Sequence, residues 1–135
     1  MTFWDDAEII SAYTREQAIA DGMLIACDAE GIAREAGFAV PVAVTAAVWS
    51  LVEPTDTERE SWGQSVEGRL WDVLWLASFA CRRGGPGPVK TYKVIFGMQD
   101  REGFSNGQHE VTLKIHSGPG DNAEHVITIM RENED

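Results

Sequence analysis

The chain has 135 residues, 44% of them hydrophobic, and a chain of this size buries one core without disulfides or metals. Its 22 acidic residues outnumber its 11 basic residues, and the net charge of −11 opposes direct binding to nucleic acid or to an anionic membrane. These figures exclude a disordered chain and a basic nucleic-acid-binding protein, and they predict a single domain over residues 1–135.

The N-terminal sequence and the cysteines point to the cytoplasm. The start, MTFWDDAEII, lacks the basic and apolar regions of a secretory signal, and no apolar run reaches the roughly 18 residues that span a bilayer. Cys27 and Cys81 form no CxxC pair and lie in apolar surroundings, so we interpret them as buried free thiols. We expect a cytoplasmic protein without cofactors.

Short helices are predicted near the N-terminus. Thr14 and Gln17 form a capping-box pattern that predicts a helix over residues 15–21. The apolar run at residues 23–25 predicts a short strand. Asp28 is placed to cap a second short helix that ends near Gly37.

Two prolines bound the next predicted helix. Pro41 suits a first helical turn and Pro54 forbids continuation, which predicts a helix over residues 41–52 despite its β-branched residues. The following segment at residues 54–64 is acidic and without periodicity, and we interpret it as a surface loop.

A long apolar helix follows. Ser65 is an N-cap, and the sequence from Val66 to the arginine pair at Arg82 and Arg83 is apolar on nearly every face. The GGPGP segment ends it, and the arginines complement the negative end of the helix dipole. We expect this helix to be central and buried.

After residue 89 the hydrophobic period changes from 3.6 to 2. Alternating segments predict three strands, starting near Val89, around Leu113, and over residues 126–130. The predicted fold class is α+β: a three-stranded antiparallel sheet in the C-terminal half, packed against the central helix and the shorter N-terminal helices.

No catalytic or metal-binding pattern stands out. The three histidines, His109, His116 and His125, could form a metal cluster with Asp121, but no paired spacing fixes two ligands, and we expect no metal. The SGPGD segment, residues 117–121, is interpreted as a plain turn in which Asp121 caps the turn itself. No nucleophile motif is present, and we nominate no catalytic residue.

Tryptophans offer two candidate contact sites. Trp71 and Trp75 lie one helical turn apart, which fits either a core stripe or an exposed aromatic platform, and the core stripe is favoured. Trp62 lies in the acidic segment, so we expect it to be an exposed anchor for a partner.

The acidic segment is the sharpest functional candidate. Glu53, Asp56, Glu58 and Glu60, joined by acids at residues 5–8, would imitate nucleic-acid phosphates if they lay on one rigid surface. The alternative is an ordinary solvated face. The predicted partner-binding set is Glu53, Asp56, Glu58, Glu60 and Trp62.

The segments YTREQAIADGMLI, EAGFAVPVAVTAAVW, GRLWDVLWLASFACRR and GPGDNAEHVITIM carry a resemblance over residues 11–130. They resemble an uncharacterised family of small bacterial proteins, a domain of unknown function found on plasmids, phages and integrative elements. The resemblance implies that the protein is encoded on a mobile genetic element, but it implies no catalytic or binding activity, because no functional residues of that family are known. Small acidic proteins of mobile elements often act against host defence, as anti-CRISPR and anti-restriction proteins do.

We therefore expect a non-enzymatic, protein-binding inhibitor or modulator. Its expected partner is a host protein or nucleoprotein complex with a basic surface, and not nucleic acid itself. Two alternatives stay open: a small enzyme with a dispersed site, for which the first residues to test are Arg34, Asp121, His116 and His125, and a subunit that dimerises through a sheet edge.

Overall fold

The computed structural model describes residues 13–27, 31–85, 87–98 and 107–134. Its helices are α1 (Arg15–Ala20), α2 (Ile32–Glu35), α3 (Ala46–Val52), α4 (Asp56–Trp62) and α5 (Val66–Arg82). Its strands are β1 (Leu24–Ala26), β2 (Val42–Thr45), β3 (Val89–Met98), β4 (Gly107–Pro119) and β5 (His125–Arg131). The α+β class is confirmed.

The strands form one five-stranded sheet in the order β1-β2-β5-β4-β3. The antiparallel meander of β3, β4 and β5 is confirmed, but the expectation of three strands is wrong, because β2 adds to the other side of β5 and β1 adds to β2. β2 runs parallel to β5, with Val42 opposite Ile127. Such a pairing between distant segments leaves no local signal in the sequence.

The helix predicted over residues 41–52 is half strand. Val42 and Val44 are buried β-branched residues of β2, where a pleated position suits them better than a helical one. The helix begins only after Thr45, whose hydroxyl accepts a hydrogen bond from the Val48 N–H at 3.3 Å.

The loop predicted at residues 54–64 is mostly the helix α4. Thr55 and Glu58 form a capping box, with each side chain accepting from the other residue's backbone N–H. Gly63, at a φ of 65°, ends the helix in the left-handed conformation. The acidic residues of this segment therefore start a helix.

Several predictions near the N-terminus are confirmed. The capping box of Thr14 and Gln17 begins α1, and a strand follows it at β1. The short helix before Gly37 exists as α2. The predicted cap, Asp28, lies outside the described residues.

The core lies between α5 and one face of the sheet. Val73, Leu74 and Ala77 of α5 are fully buried, and they belong to the same cluster as Phe96 and Leu113 of the sheet. The alternation predicted for β3 and β4 is thus confirmed. The helix is central but buried on one side only, which corrects the expectation of a wholly buried helix.

Candidate functional site

Glu58 is not part of the protein surface. Its side chain is 0% exposed, and its Oε1 atom lies 3.1 Å from the NH2 group of the equally buried Arg69. The same oxygen accepts the Thr55 N–H at 2.9 Å. The prediction that Glu58 binds a partner is therefore wrong, because its buried carboxylate pairs with Arg69 inside the protein.

The guanidinium of Arg69 joins four parts of the chain. Its NH1 group donates to the Leu51 carbonyl at 2.9 Å, its Nε donates to the Gln64 side chain at 3.2 Å, and its NH2 also donates to the Gly97 carbonyl. A guanidinium is suited to this role because its donors lie in a rigid plane. Arg69 of α5 thereby joins α3, α4 and β3 to its own helix.

Glu53, Asp56 and Glu60, the other predicted acids of this segment, are exposed on or next to α4, whereas the acids at residues 5–8 lie outside the described residues. Asp56 and Glu60 lie one helical turn apart on the same face, and Glu53 precedes the helix. Arg59, also exposed, interrupts this group. Trp62 is half-buried at the end of α4, so it is a weaker candidate anchor than predicted.

An exposed stripe runs along α5. Gly68, Asp72, Trp75 and Phe79 are all exposed, and their spacing of four, three and four residues places them on one face of the helix. Trp75 is 42% and Phe79 is 50% exposed, although both belong to the helix that supplies the core. Two large aromatic side chains thus face solvent on a rigid element.

Trp71 and the C-terminal arginines complete this surface. The rings of Trp71 and Trp75 stack with their centroids 5.7 Å apart and their planes 13° apart. Arg82 lies 5.6 Å over the Trp75 ring, and Arg83 lies 5.7 Å over the Phe79 ring. We call these five residues the aromatic–arginine face: Trp71, Trp75, Phe79, Arg82 and Arg83.

This face decides between the two interpretations of the tryptophan pair. Trp71 is half-buried and packs against the core, as a core stripe requires, but Trp75 is exposed, as a platform requires. The favoured core-stripe interpretation is therefore wrong for Trp75. Phe79 was missed, although its position four residues after Trp75 was a visible signal.

A groove lies beside the aromatic–arginine face, between α5 and the edge strand β3. It encloses about 670 Å³, its lining includes Leu76 and Phe79, and three cationic residues contribute to it: Arg83, Lys90 and Lys93. Such a size is typical of a ligand or side-chain pocket. On a chain with a net charge of −11, this is a local concentration of positive charge.

Groups near the groove are held in their neutral forms. Burial raises the pKa of the Tyr92 hydroxyl, which donates to the Val73 carbonyl at 2.9 Å. Burial also raises the pKa of the Cys81 thiol, against a smaller opposing effect of Lys90. Neither group is activated as a nucleophile. Neither cysteine forms a disulfide, as predicted, and Cys27 is buried, but Cys81 is only partly buried, which corrects the expectation that both thiols are buried.

The residues named for a small enzyme do not assemble. The Asp121 carboxylate is bound to backbone N–H groups at the start of α1, and Arg34 lines a separate cavity beside α2. His125 contacts the hydroxyl of Ser117 through its Nε2 atom. Among the described residues no carboxylate contacts the other nitrogen of that ring, and no group of His, Cys, Asp or Glu is arranged to hold a metal.

Asp121 caps α1 and not its own turn. Its carboxylate accepts the Arg15 N–H at 2.8 Å and the Glu16 N–H at 3.0 Å. These bonds lower the pKa of Asp121 below its ordinary value. The contact ties the turn between β4 and β5 to the first helix.

We expect Asp121→Ala to lower stability at neutral pH. A depressed folded-state pKa contributes stability above the ordinary aspartate pKa, and that contribution is lost as pH falls through the folded value. The difference between wild type and variant should therefore shrink below about pH 4 in urea titrations. Asn122→Ala is the matched control, and a difference that stays constant with pH would contradict the capping role.

Comparison with known proteins gives one match. Residues 1–135 match the family described as "Family of unknown function (DUF6573)". The chain belongs to this family. No curated protein and no solved structure matches it. For this DUF6573 protein the described residues contain no helix that is long and apolar enough to cross a membrane.

Proposed function

We propose that this DUF6573 protein acts by binding a partner protein through the aromatic–arginine face of α5. The observation that carries the proposal is the exposure of Trp75 and Phe79, 42% and 50%, on a helix whose other side forms the core. Tryptophan, tyrosine and arginine are the residues that most often dominate binding energy in protein interfaces. Contiguous exposed apolar side chains are more typical of interaction sites than scattered ones.

The face is already ordered before a partner arrives. Trp75 is held by its stack on Trp71, and Arg82 is held above it by a hydrogen bond to the Ser78 hydroxyl at 3.0 Å. Side chains that are fixed in the free protein lose less conformational entropy on binding. This order favours an interface over an accidental exposure.

The charge of the chain suggests the chemistry of the partner. A net charge of −11 favours approach to a protein or nucleoprotein complex with a basic surface, and exposed Asp56 and Glu60 add to that attraction. Our narrower proposal is an inhibitor from a mobile element that acts against host defence, as anti-CRISPR or anti-restriction proteins do. The net charge supports it, and the aromatic–arginine face supplies the contact.

The exposed acids should speed association with the partner more than they slow its dissociation. We expect the triple variant Glu53→Gln, Asp56→Asn, Glu60→Gln to slow association by about tenfold at low salt with little change in dissociation. Surface plasmon resonance at two salt concentrations measures both rates. A variant that associates like wild type at low salt would remove these acids from the account.

Photo-crosslinking in cells tests the proposed function. A benzophenone amino acid at position 79 should crosslink to a defined protein, whereas the same group at Met23, which is 58% exposed on another part of the surface, should not. Mass spectrometry identifies the crosslinked partner. Equal crosslinking from both positions, or none from position 79, would overturn the assignment.

A further inference from the structure

The edge of β3 has a definite set of outward-facing backbone groups. The Ser117 N–H donates to the Pro88 carbonyl at 2.8 Å, and the same register continues along β3 and β4. In an antiparallel pair the residues alternate between bonding the neighbour and facing away from it. Those facing away from β4 are Val89, Thr91, Lys93, Ile95 and Gly97.

One of these positions is already occupied. The Gly97 carbonyl accepts from Arg69, which agrees with the alternation and closes the far end of the edge. Along Val89–Ile95, the described residues contribute no strand that pairs with this side of β3. A long edge strand of this kind is a template for pairing with another chain.

Positive charge lies along the same edge. Lys90 of β3 and Arg83 at the end of α5 both line the groove, and Lys93, which alternates with the core-facing Tyr92 and Val94, adds its charge on the opposite face of the strand. The exposed ion pair of Lys93 with Glu110, at 3.4 Å, neutralises only one of the three cations. A second copy of the chain paired with this strand would bring its own lysines alongside, which is unfavourable. An acidic strand would meet complementary charge.

We propose that the edge Val89–Ile95 accepts an extended acidic segment of the partner protein as a sixth strand of the sheet. This inference rests on the proposed function: the partner's basic surface approaches the exposed acids of α4, and a separate acidic segment of the same partner pairs with β3 next to the aromatic–arginine face. Backbone hydrogen bonds give such strand addition its affinity, and alternate side chains give it specificity. On the face of the sheet that carries α5, the acidic side chains of the incoming strand contact Arg83 and Lys90. Its apolar side chains, on the opposite face, pack beside the exposed Val89 and Ile95.

Amide hydrogen exchange with a defined peptide tests the geometry. The probe is a capped peptide that alternates glutamate with valine, and its control replaces each glutamate with lysine. At a peptide concentration about ten times its Kd, exchange at the Thr91, Lys93 and Ile95 amides should slow about tenfold. Amides at Lys90, Tyr92 and Val94, already bonded to β4, should not change, and the lysine peptide should have no effect.

The variant Thr91→Pro removes one outward N–H and leaves the bonds to β4 intact, since an edge strand tolerates proline where its N–H faces solvent. Thr91→Pro should weaken binding of the glutamate peptide at least about tenfold. Thr91→Ala, which keeps the N–H, should bind the peptide like wild type. Circular dichroism verifies that both variants fold. Peptide binding that Thr91→Pro leaves unchanged would overturn the proposal.

Two further outcomes separate this inference from the proposed function. If Trp75→Ala weakens binding of the crosslinked partner but Thr91→Pro does not, the partner uses the aromatic–arginine face and the proposed strand addition is wrong. If the chain forms a concentration-dependent dimer that Thr91→Pro makes monomeric, a second copy is the occupant, and the acidic strand is wrong. Loss of partner binding in both Trp75→Ala and Thr91→Pro would support the two proposals together.

Discussion

Arg69→Met should lower the free energy of unfolding by about 3–5 kcal/mol, because it leaves the Glu58 carboxylate buried without its ion-pair partner. The variant also removes the donors to the Leu51 and Gly97 carbonyls, which are satisfied by Arg69 in the folded protein. Urea denaturation followed by tryptophan fluorescence measures the loss.

A second variant isolates the cost of the unpaired charge. In Glu58→Gln, Arg69→Met the side chain at position 58 is neutral, and glutamine still fits the capping box with Thr55. The double variant should therefore be more stable than Arg69→Met alone. If the free energy of unfolding of Arg69→Met lies within about 1 kcal/mol of the wild-type value, the ion pair does not hold α4 in place as the structure indicates.

The variant Trp75→Ala, Phe79→Ala should weaken partner binding by about 100-fold or more while the fold stays intact. Central aromatic contacts in protein interfaces contribute about 2 kcal/mol or more each, and 1.4 kcal/mol corresponds to a tenfold change in Kd. Both side chains are exposed, so their truncation leaves the core unchanged. Isothermal titration calorimetry with the crosslinked partner measures the change.

Met23→Ala is the matched control for this variant, because Met23 is a comparably exposed apolar residue outside α5. Its Kd should equal that of wild type. Leu74→Ala supplies the opposite control: Leu74 is fully buried on the same helix, so its truncation should cost stability, about 2–5 kcal/mol. A double variant that binds the partner like wild type would remove the aromatic–arginine face as the docking surface.

Local patterns in the sequence predicted most of the helices and the C-terminal sheet. The capping residues Thr14 and Ser65 begin helices where expected, and the two-residue period of β3 and β4 matches their burial. These features depend on neighbours within a few residues. The capping box at Thr55 was equally local, but the acidic composition of the segment hid it.

Features that depend on distant contacts could not be predicted in this way. β2 is a strand because it pairs with β5, more than eighty residues later, and its four residues alone fit either a helix or a strand. The burial of Glu58 likewise depends on Arg69 reaching it from the next helix. Which face of α5 stays open depends on how the sheet covers the helix, so the exposure of Phe79 follows from packing.

Hydroxyl-radical footprinting of the complex tests the central claim most directly, because it reads side-chain exposure at each residue without any substitution. Oxidation of Trp75 and Phe79 should fall when the partner binds, while oxidation of Tyr13 and Met23, which are exposed elsewhere, should stay at the level of the free protein. Unchanged oxidation of Trp75 and Phe79 in a saturated complex would show that the partner binds another surface and would contradict the account.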